Sequence, residues 1–349
     1  MRIEVPASEL LSMGFIEVFS RIRKILGILK QMSKLTEIEK PDVAILIDYP
    51  EFHFKLAKEF CKQNLPSICM IPPKIWAWRG KRVYKIGKLY RHVFTIFPFE
   101  GKIFKDAGVP FTYLGNPLLD ELPLELSAAE ARKKKNIQPE ELVLLLMPGS
   151  RPSEIKYHLR PMIKAAQKVK ANFGAEQKLK ILMPLAPTDD LEKVRGLLKE
   201  FPLAVELSQG DAWECMRAAD AGIIKSGTST LEAAVLDCPH VVIYDGHPIS
   251  KWLFKNLMRY TRPISLVNLV EGRTDRKIVP ELILENFKVD LMVKEVMPLL
   301  DRASSTRTAM LEQFIGVRKC LLPESPATKS PSKKAAQEIL DLVENWRQN

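Results

Sequence analysis

The sequence lacks the patterns that mark several common classes of protein. Its five cysteines are scattered without a CxxC pair, and its five histidines have no spacing typical of a metal site. We therefore expect neither a disulfide framework nor a zinc site. No apolar run reaches the ~18 residues of a membrane-spanning helix, and the first residues contain no apolar signal-peptide core. These absences favour a protein of the reducing cytoplasm.

The standard nucleotide and nucleic-acid motifs are missing as well. Neither the GxxxxGK[ST] loop nor the GxGxxG fingerprint occurs, and no RNP, helix-turn-helix or zinc pattern indicates a nucleic-acid partner. Positive charge is in excess: 53 Lys and Arg stand against 42 Asp and Glu, a formal net charge of +11. The excess favours anionic partners such as phosphates or an acidic membrane surface.

Apolar runs alternate with amphipathic stretches, which predicts an α/β fold with parallel sheets. The predicted strands cover residues 42–48, 66–71, 92–97, 142–147, 179–183, 204–207, 221–224 and 241–244. The first of them is of the fully buried type. We predict one domain over 1–122, a polar connection over 123–141, a second domain over 142–330, and a linker with a final helix over 331–349.

Two loops of the second domain place small residues between a strand and a helix. Hydroxyls and free N–H groups at a helix N-terminus suit a phosphate, and an arginine binds a diphosphate bidentately. Both loops follow strands of one parallel sheet, where α/β proteins bind ligands, so we expect a sugar nucleotide there. An ordinary Ser/Thr N-cap is the alternative for the second loop. The candidate ligand-binding residues are Gly149, Ser150, Arg151, Ser226, Gly227, Thr228, Ser229 and Thr230.

Two features of the first domain are candidates for chemistry. Asp48 ends the DVAILID strand and is suited to be a general base for a hydroxyl nucleophile; a helix-capping aspartate is the alternative. The loop after the second strand carries Trp76, Trp78 and Arg79, an aromatic and cationic set that suits a sugar or a phosphate-bearing acceptor. Aromatic anchoring of a long loop is the alternative.

An amphipathic helix is predicted near the start of the chain. Its apolar residues alternate with arginines and lysines, a pattern that favours contact with an anionic lipid surface. A core helix with a solvated basic face is the alternative. The residues that we assign to the membrane contact are Phe15, Ile16, Phe19 and Ile22.

Together these motifs resemble the lipid-A-disaccharide synthases, which are inverting glycosyltransferases. The resemblance runs from about residue 9 to the final helix, and the combination of IWAWR with PGSR and SGTSTLE is specific. The matching stretches are ELLSMGFIEVFSRIRKIL (9–26), PDVAILIDYPEF (41–52), IWAWRGKRVYKIGK (75–88), FPFE (97–100), LLMPGSRPSEI (145–155), SGTSTLEAAVLDCP (226–239), SLVNLVEGR (265–273) and IVPEL (278–282).

The resemblance implies two Rossmann-like domains (GT-B) and a specific reaction. The family joins UDP-2,3-diacylglucosamine to 2,3-diacylglucosamine 1-phosphate (lipid X), giving lipid A disaccharide 1-phosphate and UDP. It implies that Arg151 and the second loop neutralise the departing diphosphate, that Glu232 binds ribose or sugar hydroxyls, and that Asn268 and Glu281 line the donor site. Asp48 becomes the base for the acceptor. No metal or other cofactor is implied, the location is the cytoplasmic face of the inner membrane, and a homo-oligomer stays open.

The sequence also departs from the family. The family opens with a strand and a GEASGD loop that have no counterpart here, so we expect an incomplete first domain. Two alternatives stay open: a truncated, non-catalytic relative at the membrane surface, and another GT-B enzyme that uses UDP-GlcNAc.

Overall fold

The chain divides into two units of α/β structure. The computed structural model describes residues 3–6, 18–76, 80–173, 177–246, 263–272, 277–323 and 329–348, without the side chains of 18–22. Met1–Pro117 and Leu322–Asn349 form the first unit, and Leu118–Leu321 form the second. Among the described residues, no helix has the length and apolar character that crossing a membrane requires.

The first unit is built on a four-stranded parallel sheet. Its elements in chain order are α1 (Val18–Glu39), β1 (Ala44–Ile47), α2 (Pro50–Lys62), β2 (Ser67–Met70), α3 (Arg82–Leu89), β3 (His92–Thr95), α4 (Pro98–Asp106) and β4 (Phe111–Tyr113). The strands lie in the order β1-β2-β3-β4. One face of the sheet is covered by a core that includes Phe54, Phe60 and Phe104, which α2 and α4 contribute.

β1 corrects one prediction. It is a parallel strand, but it lies at an edge of the sheet and pairs with β2. Leu46 is buried, whereas Ile45 and Ile47 on the opposite face are 39% and 51% exposed. The expectation of a fully buried strand is therefore wrong, because an apolar run reveals strand propensity but not how many neighbours cover the strand.

The second unit contains a six-stranded parallel sheet in the order β10-β9-β8-β5-β6-β7. Its elements are α5 (Leu118–Glu121), α6 (Ala128–Lys134), β5 (Leu142–Met147), α7 (Pro152–Asn172), β6 (Leu179–Leu185), α8 (Leu191–Leu198), β7 (Glu206–Gln209), α9 (Ala212–Ala218), β8 (Ala221–Lys225), α10 (Thr228–Val235), β9 (His240–Tyr244), α11 (Leu266–Leu269), β10 (Glu281–Ile283), a 3₁₀ turn (Leu284–Asn286), α12 (Val289–Leu300) and α13 (Ser305–Leu321). The central strands β5 and β8 are almost wholly buried.

The last helix, α14 (Pro331–Gln348), returns to the first unit. Its Ala335 joins a small core on the second face of the first sheet, with Ile68 and Phe94. Trp346 packs against the same core, and the guanidinium of Arg91 lies 4.6 Å from the centre of its ring. The helix thus covers the part of the sheet that α2 and α4 leave open.

Candidate functional site

Two candidate loops lie side by side at the carboxyl ends of the central strands of the second sheet. β5 and β8 are neighbouring parallel strands, and Met147 is paired with Ile224 near their carboxyl ends. The loop from Pro148 to Arg151 follows β5, and the loop from Ser226 to Gly227 follows β8. The pairing therefore brings together the two loops that the sequence singles out.

The first loop depends on a glycine. Gly149 has a φ of 123°, and a Cβ at this position would lie 2.5 Å from Oε2 of Glu154. Only glycine fits both the backbone conformation and the space. Arg151 is the N-cap of α7 and Pro152 its first residue, and the Arg151 side chain is 63% exposed. The turn thus presents a guanidinium to solvent.

The second loop begins α10 without a side-chain cap. Gly227 is the N-cap, so the alternative of an ordinary Ser/Thr cap is wrong. Thr228 is exposed, and Ser226 and Ser229 are half-buried. Thr230 differs from them, because it is fully buried and its hydroxyl donates to the carbonyl of Gly227 at 2.8 Å. The Thr230 N–H donates to the Gly227 carbonyl at 3.3 Å, and the N–H groups of Thr228 and Ser229 before it have no acceptor within the helix.

An ion pair that the sequence analysis missed joins the two loops. The ammonium of Lys225, the last residue of β8, lies 2.7 Å from Oε1 of Glu154 in the first turn of α7. Oε2 of the same carboxylate accepts a hydrogen bond from the Ser150 N–H at 3.0 Å. Burial alone would raise the pKa of Glu154, but the hydrogen bond and charge of Lys225 outweigh it and hold the pKa below its ordinary value. Glu154 is therefore an anion in the folded protein.

Glu232 is held by a residue that no motif indicated. The indole N–H of Trp213, on α9, donates to Oε2 of Glu232 at 3.1 Å. Burial raises the pKa of Glu232, and the Trp213 hydrogen bond counteracts part of that rise. Trp213 thus fixes one carboxylate oxygen of a half-buried acid in the first part of α10.

Asn268 and Glu281 bind each other and the surrounding backbone. The Asn268 amide donates to Oε1 of Glu281 at 2.9 Å and to the Val279 carbonyl at 3.0 Å. Oε1 of Glu281 also accepts from the N–H and hydroxyl of Ser265. Both residues are buried. Their hydrogen bonds thus connect α11 with β10. Their role in donor binding stays a prediction.

Asp48 follows β1 in a strained stretch of backbone. Asp48 and Tyr49 have φ values of 54° and 45°, the left-handed region that non-glycine residues rarely adopt. The N-cap of α2 is Tyr49, so the helix-capping alternative for Asp48 is wrong. Asp48 is exposed, while its carbonyl oxygen accepts from Nδ1 of His53 at 2.5 Å.

A second carboxyl of the first unit was not singled out from sequence. Glu100, in the first turn of α4, is buried and accepts from the N–H groups of Phe97 and Ile96 at 3.2 and 3.3 Å. Burial raises its pKa to about 7. Burial also raises the pKa of the Cys69 thiol, and the charges of Glu100 and Asp48 raise it further. Both carboxyls therefore lie near the end of β2.

The tryptophan loop is described only in part. Trp76 packs edge-to-face on Phe99 with ring centres 5.5 Å apart. Its indole N–H lies close enough to the Glu100 carboxyl to lower the pKa of that group, although no hydrogen bond of normal geometry forms. Trp78 and Arg79 lie outside the described residues, so their assignment to the acceptor stays a prediction.

The residues assigned to membrane contact also fall outside what can be described. Phe15 and Ile16 precede the described helix, and the side chains of Phe19 and Ile22 are not described. Further along α1, Ile28 and Leu29 belong to the core, whereas Leu26 is exposed. A groove of about 560 Å³ between α1 and α2 is lined by Leu26, Leu29, Lys30, Ser33, Lys34, Glu37, Lys55, Lys58 and Glu59.

Known proteins identify the family. Residues 3–328 match the model of the lipid-A-disaccharide synthetase family. The lipid-A-disaccharide synthase of Myxococcus xanthus is 34% identical over 97% of this chain and 85% of its own length. That of Nitrosococcus oceani is 33% identical over 89% of this chain and 79% of its own length. The chain belongs to the lipid-A-disaccharide synthase family.

These matches confirm the family that the motifs predicted. They also confirm that the protein is a glycosyltransferase of lipid A disaccharide synthesis. Neither alternative, the non-catalytic relative nor another UDP-GlcNAc enzyme, is favoured. The solved structures that share the fold are more distant in sequence. A putative UDP-N-acetylglucosamine 2-epimerase from Listeria monocytogenes has a TM-score of 0.59 at 10% identity and covers 93% of this chain and 80% of its own.

A trehalose 6-phosphate synthase from Burkholderia multivorans has a TM-score of 0.55 at 11% identity, over 94% of this chain and 78% of its own. At such low identities the likeness concerns the fold alone. Together with the two parallel sheets, it confirms the predicted fold class of this chain, two Rossmann-like domains of the GT-B type.

Proposed function

We propose that the protein transfers the 2,3-diacylglucosaminyl group of UDP-2,3-diacylglucosamine to the 6-hydroxyl of lipid X. The acceptor oxygen forms a bond to the anomeric carbon, the bond from that carbon to the diphosphate breaks, and UDP leaves. The observation that carries the proposal is the pair of adjacent loops after β5 and β8, with an exposed Arg151 and an uncapped helix N-terminus, in a chain of this family.

On the donor side, the negative charge that develops on the leaving diphosphate is stabilised by the two loops. Arg151 offers a bidentate guanidinium, and Ser226, Thr228 and Ser229 offer hydroxyl and backbone donors. Glu232, held by Trp213, accepts from ribose or sugar hydroxyls. Because these groups supply the electrostatic stabilisation, the proposal needs neither a metal nor another cofactor.

The buried pair of Asn268 and Glu281 supports this site indirectly. Their mutual hydrogen bond and their bonds to Val279 and Ser265 fix the backbone from α11 to β10. We assign them the role of holding that segment beside β9, with which β10 pairs. Gly149 acts through the backbone turn that it allows, and Gly227 acts as the N-cap of α10.

On the acceptor side, we assign Asp48 as the general base. Its exposed carboxylate takes the proton of the acceptor hydroxyl as that oxygen attacks. The tryptophan loop with Trp76, Trp78 and Arg79 is the proposed contact for the sugar or phosphate of lipid X. An aromatic face and a guanidinium suit those two groups.

We further propose that the protein works at the cytoplasmic surface of the inner membrane. Both proposed substrates carry acyl chains, and the described part of α1 combines the exposed Leu26 with lysines along the groove beside α2. The membrane interface would take up the apolar side chains that precede these lysines in the chain, namely Phe15, Ile16, Phe19 and Ile22.

The test is an assay of UDP release and disaccharide formation from the two proposed substrates. We expect product with the unaltered chain, and a loss of about 10²–10³ in kcat with Arg151→Ala, as for a lost transition-state donor. Arg195→Ala is the control, because Arg195 is half exposed and pairs with Glu192 on the surface of α8. A normal kcat/KM for Arg151→Ala would remove this residue from the mechanism. Absence of any disaccharide product from the folded chain would overturn the proposed activity.

A further inference from the structure

Lys225 is a second cation at the edge of the donor site, and the family resemblance does not assign it. It is the last residue of β8 and comes directly before the Ser226–Gly227 turn. Its side chain is only 14% exposed and its ammonium lies 2.7 Å from Oε1 of Glu154. A lysine so withdrawn from solvent needs a counter-charge, because an unpaired buried ammonium is costly.

Glu154 supplies that charge from the other loop. Its carboxylate is 15% exposed and interacts with three donors: the ammonium of Lys225 at 2.7 Å, the Ser150 N–H at 3.0 Å and, more loosely, Nη1 of Arg151 at 3.7 Å. Two cations and a loop N–H are the donors that a phosphate group would take. The Glu154 carboxylate therefore occupies the position in which a phosphate group would contact the same three donors.

We propose that Lys225 binds the diphosphate of the nucleotide together with Arg151, and that Glu154 is their counter-ion, which gives up these donors when the diphosphate binds. This inference rests on the proposed function of the two loops as a donor site. Lys225 is thus a further binding residue, and Glu154 is a positioning residue that holds the Lys225 ammonium between the two loops until the diphosphate takes its place.

Because Glu154 and the diphosphate use the same donors, the charge of Glu154 affects the affinity for UDP. With Glu154 in place, the three side chains carry a net charge of about +1; without its charge they would carry about +2. Glu154 therefore competes with the diphosphate and lowers the affinity for UDP, the product that must leave. A carboxylate with a merely structural role would have the opposite effect, because its loss would loosen the Ser150 turn and weaken binding.

The experiment is a calorimetric titration of UDP and of uridine into the full chain and its variants. Lys225→Met is expected to weaken UDP binding about tenfold or more, the effect of losing a charged hydrogen bond. Glu154→Gln, which keeps an acceptor for Ser150, is expected to tighten UDP binding about fivefold, less at high salt. Uridine, which lacks phosphate, should bind all variants alike. Lys199→Met and Glu192→Gln are the matched controls on the exposed surface of the same unit.

The double variant Lys225→Met/Glu154→Gln guards against misfolding, because it removes both charges of the Lys225–Glu154 pair together. It should bind UDP more weakly than Glu154→Gln alone. Unchanged or weaker UDP binding by Glu154→Gln would overturn the role of Glu154, and unchanged binding by both Lys225 variants would overturn that of Lys225. If the unaltered chain binds UDP but no variant differs, this inference alone fails. If the unaltered chain binds no UDP, the proposed donor site fails with it.

Discussion

Asp48 and Glu100 show how backbone and burial prepare single residues in the first unit. Asp48 and the following Tyr49 both hold the left-handed conformation, which costs free energy and persists at sites where a side chain must point in one direction. Glu100 is kept nearly out of water, so its carboxyl is protonated more readily than usual. Each residue gives a prediction that a single substitution can check.

Replacing Asp48 by asparagine should mainly lower kcat, by about 10²–10⁴, because the amide cannot accept the proton. Asparagine tolerates the left-handed conformation, so the backbone should not change. Asp106→Asn, in an exposed ion pair with Lys102, is the control. Steady-state kinetics over a range of pH decide the matter: a variant with normal kcat throughout would exclude Asp48 as the base.

Glu100→Gln should change how stability depends on pH. Burial raises the pKa of Glu100 from 4.5 to about 7, so the folded state binds a proton that the unfolded state releases between these values. This contribution to stability is full below pH 4.5 and is lost as the pH rises through 7. The unfolding free energy of the unaltered chain should therefore fall by about 3 kcal/mol relative to that of the variant as the pH rises from 4.5 to 7.5. Denaturant titrations of both proteins measure this difference. Parallel profiles for the two proteins would contradict the assignment.

Whole elements, rather than single residues, set the geometry of the donor loops. The pairing of β5 with β8 aligns two turns that are about 80 positions apart in the chain, and the Glu154–Lys225 ion pair then joins them. Gly149 allows α7 to begin close to its own loop. In the first unit, α1 divides its surface between the core, through Ile28 and Leu29, and an exposed basic side.

The proposed membrane contact of α1 predicts a loss of lipid binding when its first turns become polar. Phe19→Ser combined with Ile22→Ser should reduce sedimentation with vesicles that contain anionic lipid, because less apolar surface enters the interface. Ile38→Ser, at the exposed far end of the same helix, serves as the comparison. An unaltered sedimentation profile, with a lowered melting temperature, would instead favour a core helix.

Across the second unit, one buried carboxylate ties together distant parts of the chain. Asp220 accepts hydrogen bonds from Arg132 of α6 at 3.2 Å, from the Val143 N–H of β5 at 2.8 Å and from Arg302 at 2.7 Å. Through Arg132 these contacts attach α6, which lies within the predicted connection over 123–141, to the second unit.

Asp220→Ala should lower the unfolding free energy of the second unit by about 3–5 kcal/mol, because it removes the counter-charge of Arg132, whose side chain is only 14% exposed, and the acceptor of the buried Val143 N–H. Asp290→Ala removes an exposed ion pair with Lys168 and should cost under about 1 kcal/mol. Thermal and denaturant unfolding measure both effects. Equal stabilities of the two variants would show that the Asp220 cluster does not hold the unit together.

Most strands and the candidate loops follow from local patterns. Apolar runs predicted eight of the strands, while β4 and β10, of three residues each, are too short to give a periodic signal. The glycine and hydroxyl residues of both loops are recognisable because turn chemistry is local. Trp213 and Lys225 gave no signal, since their partners Glu232 and Glu154 lie 19 and 71 positions away.

The sequence by itself determined the α/β class, the family and the loops suited to a phosphate, because these depend on short-range periodicity and on motifs. Tertiary structure decided which groups meet: Glu154 with Lys225, Trp213 with Glu232, and α14 with the first sheet. It also decided which side chains are buried, such as Glu100, and which are exposed, such as Ile45. Burial and pairing depend on residues far apart in the chain, so no local pattern encodes them.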